Sequence, residues 1–391
     1  MVNRKIPKIR FKHFGDGWKS DKLGNLGTVA MNKRIFKEET SEVGEVPFYK
    51  IGTFGGKPDS FITRDKFEEY KSKYPYPKIG DILISASGSI GRTVEYQGEE
   101  AYFQDSNIVW LKHDGRIDNS FLKHFYAIVK WQGVEGTTIK RLYNKNILET
   151  PITLPSKSAI GSLFCTLDDL LASYKDNLAN YRSFKATMLS KMFPKAGQNV
   201  PEIRLDGFEG EWKKDTLEPY LTESRISGDT GLTAKKITVK LWGKGVIEKE
   251  EKYAGSSNTQ YFVRKAGQFI YSKLDFQNQA FGIIPNELDG YQSTLDLPSF
   301  DIQNIDPKFL LEYVMRREFY EYQGLIANGS RKAKRIHPED FLVMPVRIPS
   351  LEEQQAIGTY FSNLDNLISA HQEKISQLET LKKKLLQDMF I

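Results

Sequence analysis

Cysteine is almost absent from this 391-residue chain, where Cys165 stands alone. An internal disulfide framework and a zinc site built on cysteine pairs are both excluded. Histidine is scarce too, and His13, His113, His124, His337 and His371 show no metal-ligand spacing. No apolar run approaches the ~18 residues that a membrane-crossing helix needs, and the charged start has no hydrophobic signal core. A cytoplasmic protein with no membrane partner is expected. Signatures of covalent chemistry are missing as well: there is no Gly-x-Ser-x-Gly, no His-Glu-x-x-His and no Asn-Pro-Pro-aromatic motif of the amino-methyltransferases. Charge of one sign is also in short supply, since 56 Lys and Arg stand against 50 Asp and Glu, a net of +6.

What the chain does contain is a folded composition, 39% hydrophobic and 27% charged, with 24 Phe and 19 Tyr. The length suggests two or three domains. The positive excess is local: residues 1–154 carry 25 basic and 19 acidic side chains, whereas residues 198–348 carry 21 and 22. Polyanion affinity in the second half must therefore come from patches.

Self-comparison is the most productive step. Pro7, Ile9, Arg10, Trp18, Lys19, Asp21 and Leu23 recur 194 residues later as Pro201, Ile203, Arg204, Trp212, Lys213, Asp215 and Leu217. The offset then becomes 197: Ala159–Phe193 aligns with residues 356–390, and 11 of those 35 positions are identical. The chain is duplicated as A–B–A′–B′, with expected boundaries at 1–154 and 198–348 for two domains, and 155–197 and 349–391 for two helices.

The aligned stretches 159–193 and 356–390 lack Pro, and lack Gly after their first turn, so nothing interrupts a helix. Apolar residues spaced by three or four include Phe164, Leu167, Leu171, Tyr174, Leu178, Tyr181 and Phe184 in one copy. Phe361, Leu364, Ile368, His371, Ile375, Leu378 and Leu381 repeat the stripe in the other. A narrow stripe sustained this long describes a coiled-coil seam, and pairing the two helices buries both stripes. His371 is read as a seam residue. The A units show strand runs such as Asp81–Ile84 and Asn107–Leu111, and helical patches at Phe121–Lys130 and Pro307–Tyr320, an α+β pattern.

Candidate chemistry is thin. Gly52–Lys57 is one residue short of a phosphate loop and has Pro58 where Ser or Thr must bind magnesium, so it reads as a turn. Asp59, Glu69 and Lys71 fit a loose PD…ExK pattern, which leaves a stand-alone metal-dependent endonuclease as the alternative function. Nucleic-acid recognition fits better, with basic side chains for phosphates and amides or Arg for base edges. The first half offers Lys33, Arg34, Ser85, Ser87, Ser89, Arg92, Gln104, Lys140, Arg141, Asn144 and Lys145. The second half offers Asn258, Lys273, Gln277, Asn278, Gln279, Arg331, Lys332, Lys334 and Arg335.

These features together resemble the specificity (S) subunits of Type I restriction-modification systems. The resemblance spans the whole chain, and rests on the A–B–A′–B′ order, on Pro47–Gly52 and on Gly80–Arg92 followed by Phe103–Asn107. In the second half it rests on Gly267–Asp275 and Ile348–Gln355. It implies two duplicated α+β target-recognition domains separated by two long antiparallel coiled-coil helices. Each domain would read one half of a bipartite, gapped sequence in double-stranded DNA, and the helices would set the gap. Two methyltransferase (M) subunits using S-adenosylmethionine would dock on the helices, with restriction/translocase (R) subunits using ATP and magnesium. The chain itself would hold no cofactor and no catalytic or metal residue, in a bacterial or archaeal cytoplasm. It departs from the family at Pro155–Ala159, three residues shorter than Pro349–Ala356, where the Glu-Gln start of the helix is missing. A DNA-independent coiled-coil adaptor remains the third reading.

Overall fold

The computed structural model describes residues 7–10, 18–134, 140–155, 159–250, 256–326 and 335–390. The fold is α+β and forms two compact units. One comprises residues 1–175 with 373–391, and the other residues 176–372.

In the first unit a four-stranded antiparallel sheet runs in the order Gly27–Ala30, Ile108–His113, Ile82–Ser85, Thr93–Glu95. A three-stranded sheet orders Phe61–Ile62, Val46–Tyr49 and Tyr102–Phe103 beside it. Strands Lys19–Lys22 and Pro151–Leu154 tie the two ends of the domain together. The second unit repeats the plan. Its four-stranded sheet runs Leu221–Ser224, Ser299–Ile302, Phe269–Tyr271, Phe281–Ile283, and Lys213–Thr216 pairs with Pro345–Ile348. Lys19 lies opposite Leu154 and Lys213 opposite Ile348, so the sequence offset of 194 is reproduced in strand register.

Two long helices, Ala159–Lys191 and Leu351–Met389, run through both units. They are antiparallel in each. In the first unit Lys382 is hydrogen-bonded to Asp168, and Lys175 lies 2.7 Å from Glu379. In the second unit Arg182 donates to Gln372 at 2.9 Å, Lys185 binds Asp365 at 2.8 Å, and Tyr181 meets His371 edge-on at 5.0 Å. Asp168 and Lys382 are the repeat counterparts of Asp365 and Lys185, so one ion pair occurs twice. Phe164, Leu167, Leu171, Leu178, Phe361, Leu364, Ile375 and Leu378 are buried, and Tyr174, Tyr181, Ile368 and His371 half-buried.

Two departures from the sequence pattern have local causes. Phe184 and Leu381, apolar members of the stripe, are 47% and 44% exposed. In the second unit the inner position is taken by Lys185 instead, which is held by Glu312 and Asp365. The helical patch at 307–320 is broken into Pro307–Val314 and Arg317–Gln323. Arg316 takes an extended conformation between them and lays its guanidinium over the rings of Phe193 and Tyr313, at 4.6 and 4.3 Å.

Helix joins domain through the same aromatic cluster in each unit. Phe390 stacks on Phe121 at 4.9 Å, with Trp18 and Phe164 around it; Phe193 meets Phe309 at 5.5 Å, with Trp212 and Phe361 around it. Close approach needs a glycine at both junctions. A Cβ on Gly161 would lie 2.8 Å from the Phe121 backbone nitrogen, and one on Gly358 would lie 2.6 Å from an Asp306 carboxylate oxygen. Asp118, whose carboxylate oxygen would lie 3.0 Å from that Cβ on Gly161, and Asp306 cap the N-termini of the helices Asn119–Ile128 and Pro307–Val314.

The charges beside these junctions differ. Lys185 bridges Glu312 and Asp365 in the second unit. Burial alone would lower its pKa, but the two carboxylates more than offset that and raise it. His124 stands on the corresponding helix of the first unit, 3.8 Å from Asp168 and only 2% exposed. Burial pulls its pKa down to about 4. A folded-state value below the unfolded value of ~6.5 means that the unfolded chain binds the proton first as pH falls. This contribution is therefore complete above about pH 6.5 and is lost between there and pH 4, reaching roughly 2 kcal/mol by pH 5. The urea midpoint of the transition that reports the first unit is expected to fall across that range, and His124→Leu to flatten the fall.

Candidate DNA interface

The loop joining an inner strand of each four-stranded sheet to the edge strand beside it carries several of the candidate contacts. In the first unit it spans residues 86–92, with Gly88 and Gly91 at φ 65° and 84°. Two other segments are bound to it. Gly88 donates to the Lys140 carbonyl at 3.2 Å and Leu142 to that of Ala86 at 2.8 Å, while Ala86 donates to the Asn107 carbonyl at 2.7 Å. The structure thus gathers Ser85–Arg92, Gln104–Asn107 and Lys140–Arg141 into one surface, with Asn144 and Lys145 starting the next helix.

Several sequence candidates serve as framework within that surface. Ser85 and Ser87 are buried; Ser85 donates to the Ser89 carbonyl and Ser87 to the Asn107 side chain at 2.7 Å. Arg92 donates to the Phe54 carbonyl at 2.8 Å, and Gln104 accepts from the Ile51 backbone at 2.9 Å. Arg34 is paired with Asp105 at 2.8 Å, and Lys33 lies 5.2 Å above the Tyr74 ring. Ser89, Lys140, Arg141, Asn144 and Lys145 remain exposed.

The second unit presents the equivalent loop at residues 272–280. Ser272 donates to the Ala280 carbonyl at 2.9 Å, closing it, and Phe276–Asn278 form a 3₁₀ turn that ends at Gln279 with φ 54°. Asn278 donates to Asp275 at 3.2 Å, while Gln277 is exposed. Lys273 is buried, and burial lowers its pKa. Its carbonyl accepts from Ile336 at 3.1 Å, which brings Arg335 alongside, 3.3 Å from Asp296. Asn258 is exposed, just ahead of the strand Gln260–Val263. Arg331, Lys332 and Lys334 lie outside the described residues. Sequence reasoning passed over Trp242, which projects beside Asn278; its signal is a backbone angle, invisible in composition or spacing.

The endonuclease alternative is corrected. Glu69 and Lys71 fall on the helix Arg64–Lys73, where the chemistry needs strands converging on a cation. Asp59 pairs with Lys50 at 2.9 Å, Glu69 with Lys73 at 3.0 Å, and Lys71 covers the rings of Phe67 and Tyr76. Among the described residues no group of three or more His, Cys, Asp or Glu could hold a metal ion. No helix among them is long and apolar enough to cross a membrane.

Comparison with known proteins agrees with this geometry. The profile of the Type I restriction modification DNA specificity domain matches residues 15–178 and 244–380. The chain belongs to that family. It is 58% identical over 134 residues to a putative type I restriction enzyme specificity subunit of Haemophilus influenzae, a match covering 34% of this chain and 35% of that protein. The chain thus matches about a third of the length of this relative. A putative specificity subunit of Methanocaldococcus jannaschii is 20% identical over 97% of this chain and 94% of its own. Among solved structures, the S subunit from M. genitalium shares the fold, with a TM-score of 0.60, 16% identity and 99% of each chain covered.

Lys140→Ala combined with Arg141→Ala is expected to weaken binding to all duplexes and to reduce the slope of log affinity against log salt by about two. A salt titration with an unchanged slope would remove that pair from the interface.

Proposed function

We propose that this chain is the DNA-recognition subunit of a Type I restriction-modification complex and performs no catalysis itself. The observation that carries this is the duplicated loop: two domains of the same strand order each carry a polar loop at the corresponding site of the sheet, with Ser89 exposed beside Lys140 and Arg141 in the first and Gln277 exposed in the second. Each domain, 1–154 and 198–348, reads one half of a bipartite target, and the helices at 155–197 and 349–391 set the gap between the halves. Phosphates are held by exposed Lys and Arg, and base edges are read by the amides and serines at the loop tips.

Partners are inferred from the helices. Leu170 and Leu367 are 40% and 43% exposed, and Phe184 and Leu381 are 47% and 44% exposed; each pair is related by the offset of 197. Apolar side chains left out of the seam at equivalent points in both copies suit two copies of one partner. We assign these positions to two methyltransferase subunits, which supply S-adenosylmethionine chemistry on adenine. ATP- and magnesium-dependent restriction subunits complete the complex, in a bacterial or archaeal cytoplasm.

Single-molecule methylome sequencing of cells with and without the gene is expected to show loss of one bipartite adenine-methylation motif. An unchanged methylome would sink the reading. Leu170→Glu with Leu381→Glu, both in the first unit, is expected to cut the methyltransferase from two copies to one per complex by native mass spectrometry. Two retained copies would clear that face.

A further inference from the structure

Trp242 is 56% exposed, whereas the other four tryptophans are buried or half-buried. It occupies the tip of a hairpin between strands Ile237–Val239 and Val246–Glu248 in the second unit. Its φ of 61° lies in the left-handed region, where a bulky residue is an outlier. Such strain persists only where the surroundings hold it, and it clusters at functional sites.

Three contacts hold it here. Lys240 donates to the Gly245 carbonyl at 2.8 Å and closes the tip. Trp242 donates to the Asn278 carbonyl at 2.8 Å and Gly243 to that of Gln279 at 3.0 Å. Gly243 lies so near Met315 that an added Cβ would stand 2.2 Å from the Met315 methyl. Gln279 is itself at φ 54°, so two of the four non-glycine residues with positive φ among those described sit in these joined loops. The tip is pinned, and its indole is held out into solvent rather than folded onto the domain.

The neighbours indicate what the indole meets. Lys240 and Lys244 flank it on the hairpin, and Gln277, Asn278 and Gln279 lie in the loop to which it is bonded. Protein–protein interfaces are depleted in lysine. Lysines beside amide side chains suit phosphates and base edges, and an exposed aromatic among them suits the faces of bases, as a wedge at a base step or a stacking platform. We propose that Trp242 is a wedge that presses its indole against the bases of the half-site read by the second domain, with Gln277, Asn278 and Gln279 at the base edges beside it. This rests on the DNA-recognition reading above.

The test uses the full chain with its methyltransferase partner and two probes. One is a duplex carrying the methylation motif found by genome sequencing, and the other the same duplex with its second half-site scrambled. Tryptophan emission is expected to fall when the wild type binds the motif duplex, and not to fall in Trp242→Phe. Trp242→Ala is expected to weaken motif binding about tenfold or more, the scale of one base–aromatic stack. It is expected to erode discrimination at the second half-site alone and to keep its methyltransferase copies. Wild-type affinity and discrimination in Trp242→Ala would overturn the proposal, as would an emission drop that survives in Trp242→Phe. Loss of methyltransferase with DNA binding intact would overturn it in favour of a protein-docking role. If the wild-type complex fails to tell the two duplexes apart, the DNA reading itself falls, and the wedge with it.

Discussion

Phe193 and Phe390 hold this protein together. Each ends a long helix and is buried against a tryptophan and a phenylalanine of a recognition domain. Full burial of such a ring stabilises by roughly 1.5–3 kcal/mol, and each aromatic pair adds about 0.5–1.5 kcal/mol beyond that. A helix with so narrow an apolar stripe gains its stability from what it packs against. Here it packs along its length on the other helix and at its end on a domain. The loops proposed to meet DNA are therefore carried by sheets whose cores are anchored to helix ends, which is the rigidity a reader of sequence requires.

The duplication is faithful in shape and unequal in chemistry. Both junctions have the same glycine, the same capping aspartate and the same aromatic trio. Only in the second do Glu353 and Gln354 lie buried at the start of the helix. Glu353 binds Arg204 through two hydrogen bonds of 2.8 and 2.7 Å and accepts from Trp212 at 3.3 Å, while Gln354 accepts from the Asp306 backbone at 3.0 Å. A buried carboxylate is tolerated when charge and hydrogen bonds both meet it, and Arg204 supplies both. The shorter first copy has no residues to build that lock. His124 stands where the second copy has Glu312, and burial lowers the pKa of the first but raises that of the second.

Periodicity and repetition made the architecture legible before any coordinates. The 194 and 197 offsets reappear as strand register and as paired contacts between the helices, because duplicated apolar patterns demand duplicated burial. The candidate surface was legible only as a neighbourhood. Gly88 and Gly91 marked the loop, but nothing in the sequence says that Ser87 turns inward to Asn107 or that Arg34 spends its charge on Asp105. Those assignments depend on partners 20 and 71 residues away. Trp242 escaped because an exposed tryptophan in a Gly-rich turn looks ordinary until its backbone angle is known.

Ile203 donates to the Lys191 carbonyl at 3.0 Å, and Ile9 makes the matching bond to Asp388 at 3.1 Å. The first bond closes a short loop, whereas the second joins residues almost a whole chain apart. Order of synthesis follows from this difference. The second unit is one continuous stretch, 176–372, and all its parts have been made once Gln372 has left the ribosome. The first unit still lacks residues 373–391, including the Phe390 ring that completes its core, when the second unit is already whole. Of the two units, the one begun earlier is thus completed later. During that interval its open aromatic pocket is the part of the nascent chain most in need of a chaperone.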